Sequence, residues 1–212
     1  MPELAFSVTD AAPVEHAAVP MLALTLAIES DAPVRSILLD VQVRIAARRR
    51  RYDAAAHERL LELFGRASDW GTTLRSLLWT RTTLVVPPFA RSTTVELAIP
   101  CSYDLEVAAN AYFDALGDGD VPLELLFSGS VFASRPGGAL EVTRLSWEQE
   151  ADYRLPVAVW RDTLERHFRG TAWLRVRKDA FDRLAAYRAR HALGSWEETL
   201  DALLPAVEEV RS

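Results

Sequence analysis

The sequence predicts an α+β fold: an antiparallel β-sandwich or strongly bent sheet of about seven or eight strands, with two inserted helices and a C-terminal helical segment packed on it. Three observations lead to this prediction. Apolar and polar residues alternate through most of residues 1–147, as in strands with one solvated face. Two stretches inside this part have helical spacing instead, and helical spacing dominates residues 148–212. We therefore distinguish a β-rich body, 1–147, from a helical segment, 148–212, within one domain.

The first part of the body predicts a short strand followed by a hairpin. Residues 4–8 alternate, and residues 10–13 then lead out into a loop. Residues 22–28 place leucine or isoleucine at every second position, and residues 37–45 alternate in the same way with isoleucine, leucine and valine after a turn at 30–33. We expect these last two strands to pair with each other.

Four consecutive arginines, Arg48, Arg49, Arg50 and Arg51, follow the second of these strands. Such a run can bind an anionic partner or a phosphate, and it is also usual at a solvated strand end. Neither a glycine-rich loop nor interleaved aromatic residues accompany the run, so we favour the solvated end. The four arginines stay candidate partner-binding residues.

A capped helix and two more strands complete the first half. Asp53 can cap a helix that ends at Phe64, before Gly65. Residues 78–86 and 92–99 alternate as strands, and the short proline-containing connection between them predicts that they are adjacent. We end the second strand near Cys101, because proline at position 100 removes a ladder donor. A single strand continuing to Val107 is the competing interpretation.

Residues 100–134 combine a helix, a turn and a strand. Apolar residues from Leu105 to Leu116 follow one helical face, with Asp104 as the cap and Gly117 as the left-handed stop. Residues 123–132 then predict a strand buried on both sides, in which Gly129 marks a close neighbour that leaves no room for a side chain. Residues 135–138 form a turn, and 140–145 return as a strand that closes a hairpin.

Helical spacing follows. Pro156 suits the first turn of a helix with Trp160 on its inner face and Gly170 as its stop. Residues 173–176 read as a short extended piece, and Asp179 can cap a second helix. A capping box of Ser195 and Glu198 starts a third.

The search for catalytic and metal-binding motifs is negative. The four histidines have no metal-ligand spacing, and Cys101, the only cysteine, can form neither an internal disulfide nor a multi-cysteine cluster. No phosphate loop, dinucleotide fingerprint or nucleophile elbow is present. We expect no cofactor and no metal, and we favour a protein that is not an enzyme. The acidic residues of 104–120 could still form a carboxylate pair or cation site, although cap and turn roles explain them.

Six tryptophans are present, and four lie in the last third: Trp147, Trp160, Trp173 and Trp196. Tryptophan is enriched at interface hot spots, but packing in a core is its commoner use. Both roles stay open, so these four join the arginines as candidate partner-binding residues.

Charge and hydropathy restrict the partners and the compartment. The net charge of -6 disfavours nonspecific nucleic-acid binding. The apolar runs are shorter than the roughly 20 residues that a bilayer requires, and the N-terminus lacks a signal-peptide pattern. We expect a cytoplasmic protein without membrane insertion.

Three segments carry a family resemblance: VPPFARSTTVELAIPCSYDLEVAANAYFDAL, DGDVPLELLFSGSVF and YRLPVAVWRDTLERHF. They resemble a bacterial family known as a domain of unknown function, whose genes often lie in operons with oxygen-tolerant nickel–iron uptake hydrogenases and their maturation factors. The resemblance implies an accessory or assembly role with a hydrogenase subunit or maturation factor as partner. It implies no catalytic residues.

The first functional hypothesis is therefore a non-enzymatic accessory protein that acts through protein contacts. An enzyme with an unrecognised carboxylate site is one alternative. A chaperone-like module that binds peptides along an exposed sheet edge is the other.

Overall fold

A computed structural model describes residues 2–101, 107–135, 137–146, 148–171 and 176–208. The chain divides into two compact units, residues 1–171 and 172–212. The described strands are β1 Leu4–Pro13, β2 Met21–Ser30, β3 Val34–Ile45, β4 Leu77–Val86, β5 Ser92–Pro100, β6 Asp120–Ser134, β7 Leu140–Arg144 and β8 Glu150–Pro156. The described α-helices are α1 Ala54–Arg59, α2 Leu61–Phe64, α3 Trp70–Thr73, α4 Val107–Asp114, α5 Val157–His167, α6 Lys178–Arg190 and α7 Trp196–Glu208.

The strands form two antiparallel sheets that pack together, which confirms the predicted fold class. Sheet A has the order β1-β2-β5. Sheet B has the order β4-β3-β6, and β6 is long enough to pair with β8 along its first half and with β7 along its second. All pairings are antiparallel, so the topology follows the alternation read from the sequence.

The core lies between the two sheets and is made by every second residue of their strands. Leu22, Leu24, Leu26 and Ile28 of β2 are fully buried. Burial of one such side chain stabilises the fold by about 1.5–3 kcal/mol. The rings of Phe6 and Phe127 stack across the interface, with centroids 4.4 Å apart. The predicted inner faces of these strands are therefore confirmed.

Two predicted strand pairings are wrong. The strands β2 and β3 do not form a hairpin, because β2 pairs with β1 and β5 while β3 pairs with β4 and β6. The strands β4 and β5 likewise belong to different sheets. Alternation determines which face of a strand is buried, but both sheets offer an apolar inner face, so it does not select the partner. The β6–β7 hairpin is confirmed.

Two strand boundaries also differ from the prediction. The first strand runs on to Pro13, past a register shift between Val8 and Asp10, where the sequence predicted a loop. A bulge of this kind interrupts the alternation without ending the strand. The strand β8 lies beyond residue 147, at a position where the sequence predicted no strand. The predicted domain division at 147 stays a prediction.

The helix and turn before β6 correct another expectation. Residues 107–114 are helical, so the competing long strand ends before them; the predicted cap Asp104 lies outside the described residues. The left-handed glycine is Gly119, with φ 75°, and not Gly117. The guanidinium of Arg50 donates to the backbone carbonyls of Asp118 and Asp120, which fixes the turn around Gly119.

The structure also tests the predicted double-sided burial of β6. Its inner side chains are buried, but on the outer face Ser128 is exposed and Leu126 is only half-buried. The prediction of a strand buried on both sides is therefore wrong. The space argument for Gly129 is confirmed, because a Cβ atom there would lie 2.0 Å from the Leu38 carbonyl oxygen.

The helix predicted after Asp53 is confirmed as the pair α1 and α2, and the Asp53 carboxylate accepts a hydrogen bond from the Ala56 amide at 2.7 Å. The helix α5 packs on β1, β2 and β8, as expected for the start of the helical segment. The helices α6 and α7 belong to the second unit, and their packing on the sheet stays a prediction.

In the second unit, Arg177 occupies the cap position of α6, and Asp179 lies in its first turn; Asp179 is therefore not the predicted cap. The capping box of α7 is confirmed, since the Glu198 amide donates to Ser195 Oγ at 3.0 Å. Among the described residues, no helix combines the length and the apolar character needed to cross a bilayer.

Candidate functional site

The candidate site is the outer face of sheet B, here named the B face, which is the side turned away from sheet A. Its side chains come from the positions between the core residues of β3, β4, β6 and β7, since neighbouring residues of a strand point to opposite faces. The register places Leu38 beside Val85 on one side and Ser130 on the other. One face therefore carries residues from four strands in a defined order.

One end of the B face is an apolar cluster. Val85, Leu38, Leu140 and Val142 are 66%, 42%, 57% and 55% exposed. Val142 lies directly opposite Phe132 on β6, and Leu38 lies one diagonal step from Phe132. These five side chains form a continuous apolar surface on four strands. Contiguous exposed apolar patches mark interaction sites far more often than scattered single residues do.

The middle of the B face is polar. Asp40, Gln42, Arg81, Thr83 and Ser128 line an open depression of about 510 Å³. The Thr83 hydroxyl donates to the Asp40 carboxylate, and the Arg81 guanidinium donates to the Gln42 side-chain oxygen at 3.0 Å. Two side-chain hydrogen bonds therefore link these polar groups across the β3–β4 pair.

The other end of the B face is cationic. Arg44 continues the outer positions of β3, and Arg48 follows that strand. Together with Thr72, Arg75 and Ser76 they line an open cavity of about 410 Å³. The Nε group of Arg48 donates to the Leu74 carbonyl, which fixes this side chain against the loop before β4.

The predicted arginine run therefore separates into different environments. Arg49 forms a two-pronged ion pair with Asp152, at 2.7 and 2.6 Å, and also bonds Glu124 at 3.3 Å. This contact holds the pKa of Asp152 below its usual range. Arg50 is used by the turn before β6, and Arg51 is exposed. Arg48 lines the cationic cavity of the B face together with Arg44.

Of the four candidate tryptophans, the structure describes Trp160 and Trp196. Trp160 is 2% exposed and stacks on Phe113 at 4.9 Å, which is the packing role; we withdraw it from the partner-binding set. Trp196 is half-buried in the second unit, where the Arg188 guanidinium lies 4.3 Å from its ring centroid. Trp147 and Trp173 lie outside the described residues.

Of the acidic residues that suggested a carboxylate site, Asp114 lines a small cavity of about 230 Å³ with Arg161 and Glu165, and partial burial of its carboxyl raises its pKa. Asp114, Asp118 and Asp120 are exposed, and Asp104 and Glu106 lie outside the described residues. Within the described part of the chain, no three histidine, cysteine or acidic side chains are placed to hold a metal ion.

Several titratable groups are buried in the body. The Tyr112 hydroxyl donates to the Tyr52 hydroxyl at 2.7 Å, and Tyr52 in turn donates to the Ala47 carbonyl. Burial raises the pKa of both phenols. Burial likewise raises the pKa of Cys101 to about 12, so this thiol stays protonated and unreactive at neutral pH.

Sequence reasoning missed the apolar cluster, although a signal was present. The triplets Ile37-Leu38-Leu39 and Leu84-Val85-Val86 break the alternation by placing an apolar residue at an outer position. Continuous apolar runs suggest a strand buried on both faces. Here the outer residues are exposed instead, which only the structure shows.

The chain belongs to the family of unknown function DUF6084, whose model matches residues 1–212. No curated protein matches it. Similar solved structures include a β-glucosidase from Kluyveromyces marxianus, with 10% identity and a TM-score of 0.28, and β-glucosidase 3B from Thermotoga neapolitana in complex with α-D-glucose, with 13% identity and a TM-score of 0.26. Each match covers 72% of this chain but only 15% and 17% of the glucosidase chains. Likenesses this weak support no functional argument.

Proposed function

We propose that this protein is a non-enzymatic accessory or assembly factor that acts by binding another protein through the apolar cluster of the B face. The single observation that carries the proposal is the exposure of Leu38, Val85, Leu140 and Val142 as one surface with Phe132. Water contact with such a surface is unfavourable, and a partner that covers it gains the transfer free energy of the apolar area.

The client that we propose is a nickel–iron hydrogenase subunit or one of its maturation factors. The support is the gene neighbourhood implied by the resemblance of the three sequence segments. The described residues contain no cluster of metal-ligand side chains, which is compatible with a protein that assists such an enzyme without holding its metals.

The test is affinity capture of the tagged full chain from cells that express the hydrogenase structural and maturation genes. We expect a hydrogenase subunit or maturation protein in the eluate. A Val85→Glu, Val142→Glu double variant places two charges in the contact and should reduce recovery at least about tenfold. Thr94→Glu is the matched control, since it adds a charge at an exposed outer position of β5 in sheet A.

The capture results test the proposed client and the proposed contact surface separately. Absence of every hydrogenase component with the unchanged chain contradicts the proposed client. Equal recovery by the double variant and the unchanged chain contradicts the B face as the contact. Circular dichroism and thermal unfolding of both variants show whether a loss reflects binding or unfolding.

A second candidate is peptide capture by strand addition at β4. Within the described residues this ten-residue strand pairs only with β3, and its sequence contains one charged residue, Arg81, and no proline. Natural edges usually carry more charge or proline, which prevents pairing with other chains. Hydrogen exchange on the captured complex discriminates the two modes, because only strand addition protects backbone amides of β4 that are unpaired in the free protein.

A further inference from the structure

We infer that the cationic end of the B face is a binding site for a phosphate-type oxyanion, either free phosphate or the phosphate group of a small molecule. Three separate parts of the chain supply its guanidinium groups: Arg44 from β3, Arg48 from the turn after β3, and Arg75 from the loop before β4. They line one cavity of about 410 Å³, together with the hydroxyl-bearing Thr72 and Ser76. This inference is independent of the protein-binding role.

The first supporting observation is the lack of carboxylate partners. Among the described residues, only four arginines form ion pairs: Arg49 with Asp152, Arg135 with Glu141, Arg166 with Asp162 and Arg177 with Asp179. Arg44, Arg48 and Arg75 form none in the same part of the chain, and the cavity lining contains no acidic residue. The chain has 30 acidic residues against 24 basic ones, so three neighbouring unpaired arginines run against its overall charge.

The acid that faces this site is Glu124, which lies opposite Arg44 in the β3–β6 register. Its carboxylate accepts a hydrogen bond from Arg49 at 3.3 Å and so is held toward the β8 side of the sheet. The strand on the other side of Arg44 contributes Leu78 at the matching position, which carries no charge. The positive charge of Arg44 is therefore left for a ligand.

The second observation is an unsatisfied donor. The Nε group of Arg44 is buried and has no hydrogen-bond partner in the described chain. A buried charged donor without a partner is costly, so a shift of the Arg44 side chain that lets a phosphate oxygen reach this group would gain a hydrogen bond. The Arg48 Nε donates to the Leu74 carbonyl and the Arg75 Nε lies 3.5 Å from the Thr72 carbonyl. These backbone contacts anchor both side chains and leave their terminal NH₂ groups to donate into the cavity.

The donor set fits a phosphate group better than a single carboxylate. One guanidinium already satisfies both oxygens of a carboxylate. Three guanidiniums with two hydroxyls match a group with three oxygens and a charge near -2. The lining contains no aromatic side chain on which a nucleobase could stack, so recognition is confined to the charged group.

The test is calorimetric titration of the full chain with inorganic phosphate, glycerol phosphate and acetate at low ionic strength, since salt screens open sites. We expect saturable binding of one equivalent of phosphate or glycerol phosphate and much weaker binding of acetate. Tighter binding of glycerol phosphate than of phosphate identifies a phosphorylated small molecule, and the reverse identifies the free ion. Arg44→Gln with Arg75→Gln should weaken binding at least about tenfold, because each change removes charge-assisted hydrogen bonds.

Arg51→Gln is the matched control, because Arg51 is exposed in the same arginine run but does not line the cavity. It should leave the affinity within about twofold. Equal loss in the control and the double variant shows nonspecific attraction and overturns the site. The site is also overturned if phosphate shows no saturable binding, or if acetate binds as tightly as phosphate does. Thermal unfolding confirms that the variants are folded, and the single Arg75→Gln variant, on a loop, repeats the test if the double variant is not.

Discussion

The outer faces of the two sheets differ sharply, although their inner faces are built in the same way. On sheet A the outer positions of β2 and β5 are small or polar apart from Met21 at one end: Ala23, Thr25, Ala27, Thr94, Glu96 and Ala98. On the B face the corresponding positions include an apolar cluster at one end and Arg44 at the other, where Arg48 and Arg75 from the flanking turn and loop line the same cavity. Folding requires only the inner faces, so a departure from small and polar residues on one outer face alone points to a selected function.

The sheets also differ in how closely their strands approach. None of the three strands of sheet A contains glycine, whereas β6 of sheet B has Gly129 with φ 142°. The Leu38 carbonyl oxygen occupies the space of its missing Cβ atom. The close approach of the β3 and β6 backbones at Leu38 therefore depends on a glycine at position 129.

The largest expected effect is that of Gly129→Ala, which tests whether sheet B depends on the close approach of β3 and β6. The new methyl group would overlap the β3 backbone in a conformation that is strained for alanine. We expect the free energy of unfolding to fall by about 3–5 kcal/mol in urea titrations. Gly71→Ala, a position with no neighbour within 4 Å and no positive φ, should change it by less than about 1 kcal/mol. A similar small effect at Gly129 would show that β3 and β6 can separate at this point.

The second prediction concerns pH and the end of sheet A, where Cys101 follows β5. Its folded pKa of about 12 lies above the unfolded value of about 8.5, so the folded state holds a proton that the unfolded state releases. The stabilisation is complete below pH 8.5 and is lost as the pH rises toward 12. Tyr52 and Tyr112, whose pKa values are also raised, act in the same direction at higher pH.

Two measurements check this prediction. The midpoint of urea unfolding should decrease between pH 8.5 and 11, and Cys101→Ala should flatten the early part of that decrease. A thiol reagent at pH 8 should label the folded chain at least about a hundredfold more slowly than the chain in urea. Rapid labelling of the folded chain would mean that the end of sheet A opens readily to solvent.

The smallest expected effects on stability come from two changes that compare the outer face of sheet A with the B face. Val142→Thr on the B face and Thr94→Val on sheet A are matched, reciprocal changes at exposed strand positions. Each should alter the free energy of unfolding by no more than about 0.5 kcal/mol, because neither side chain is in the core. Only Val142→Thr should weaken partner capture. Equal effects on capture would remove the distinction between the two faces.

The sequence was most informative where a single strand or helix decides the outcome. The alternation in residues 22–28 and 37–45 correctly identified the buried faces, and Asp53 correctly located a helix start. These signals are local, since a side chain's direction follows from backbone geometry. The β2–β3 pairing failed because that choice depends on which sheet each strand joins, and both alternatives bury the same residues.

The candidate site was only partly predictable for a related reason. The arginine run was visible, but its members diverge: Arg49 bonds β8, Arg50 bonds the turn before β6, and Arg48 lines a cavity with Arg44 and Arg75. Trp160 illustrates the same limit, because residue type left core and interface roles open and only the structure shows that it packs on Phe113. Neighbours in space come from distant parts of the chain, and residue type alone does not specify them.

By itself, the sequence determined that this protein has an antiparallel, β-rich body with a leucine- and isoleucine-lined core, capped helices and no conventional catalytic motif, because those properties reside in periodicity and local chemistry. Only the tertiary structure decided the division into two sheets and the register that brings Leu38, Phe132 and Val142 together. The physical reason is that strand pairing and surface assembly depend on contacts between residues far apart in the chain, and burial of the core is satisfied by more than one such arrangement.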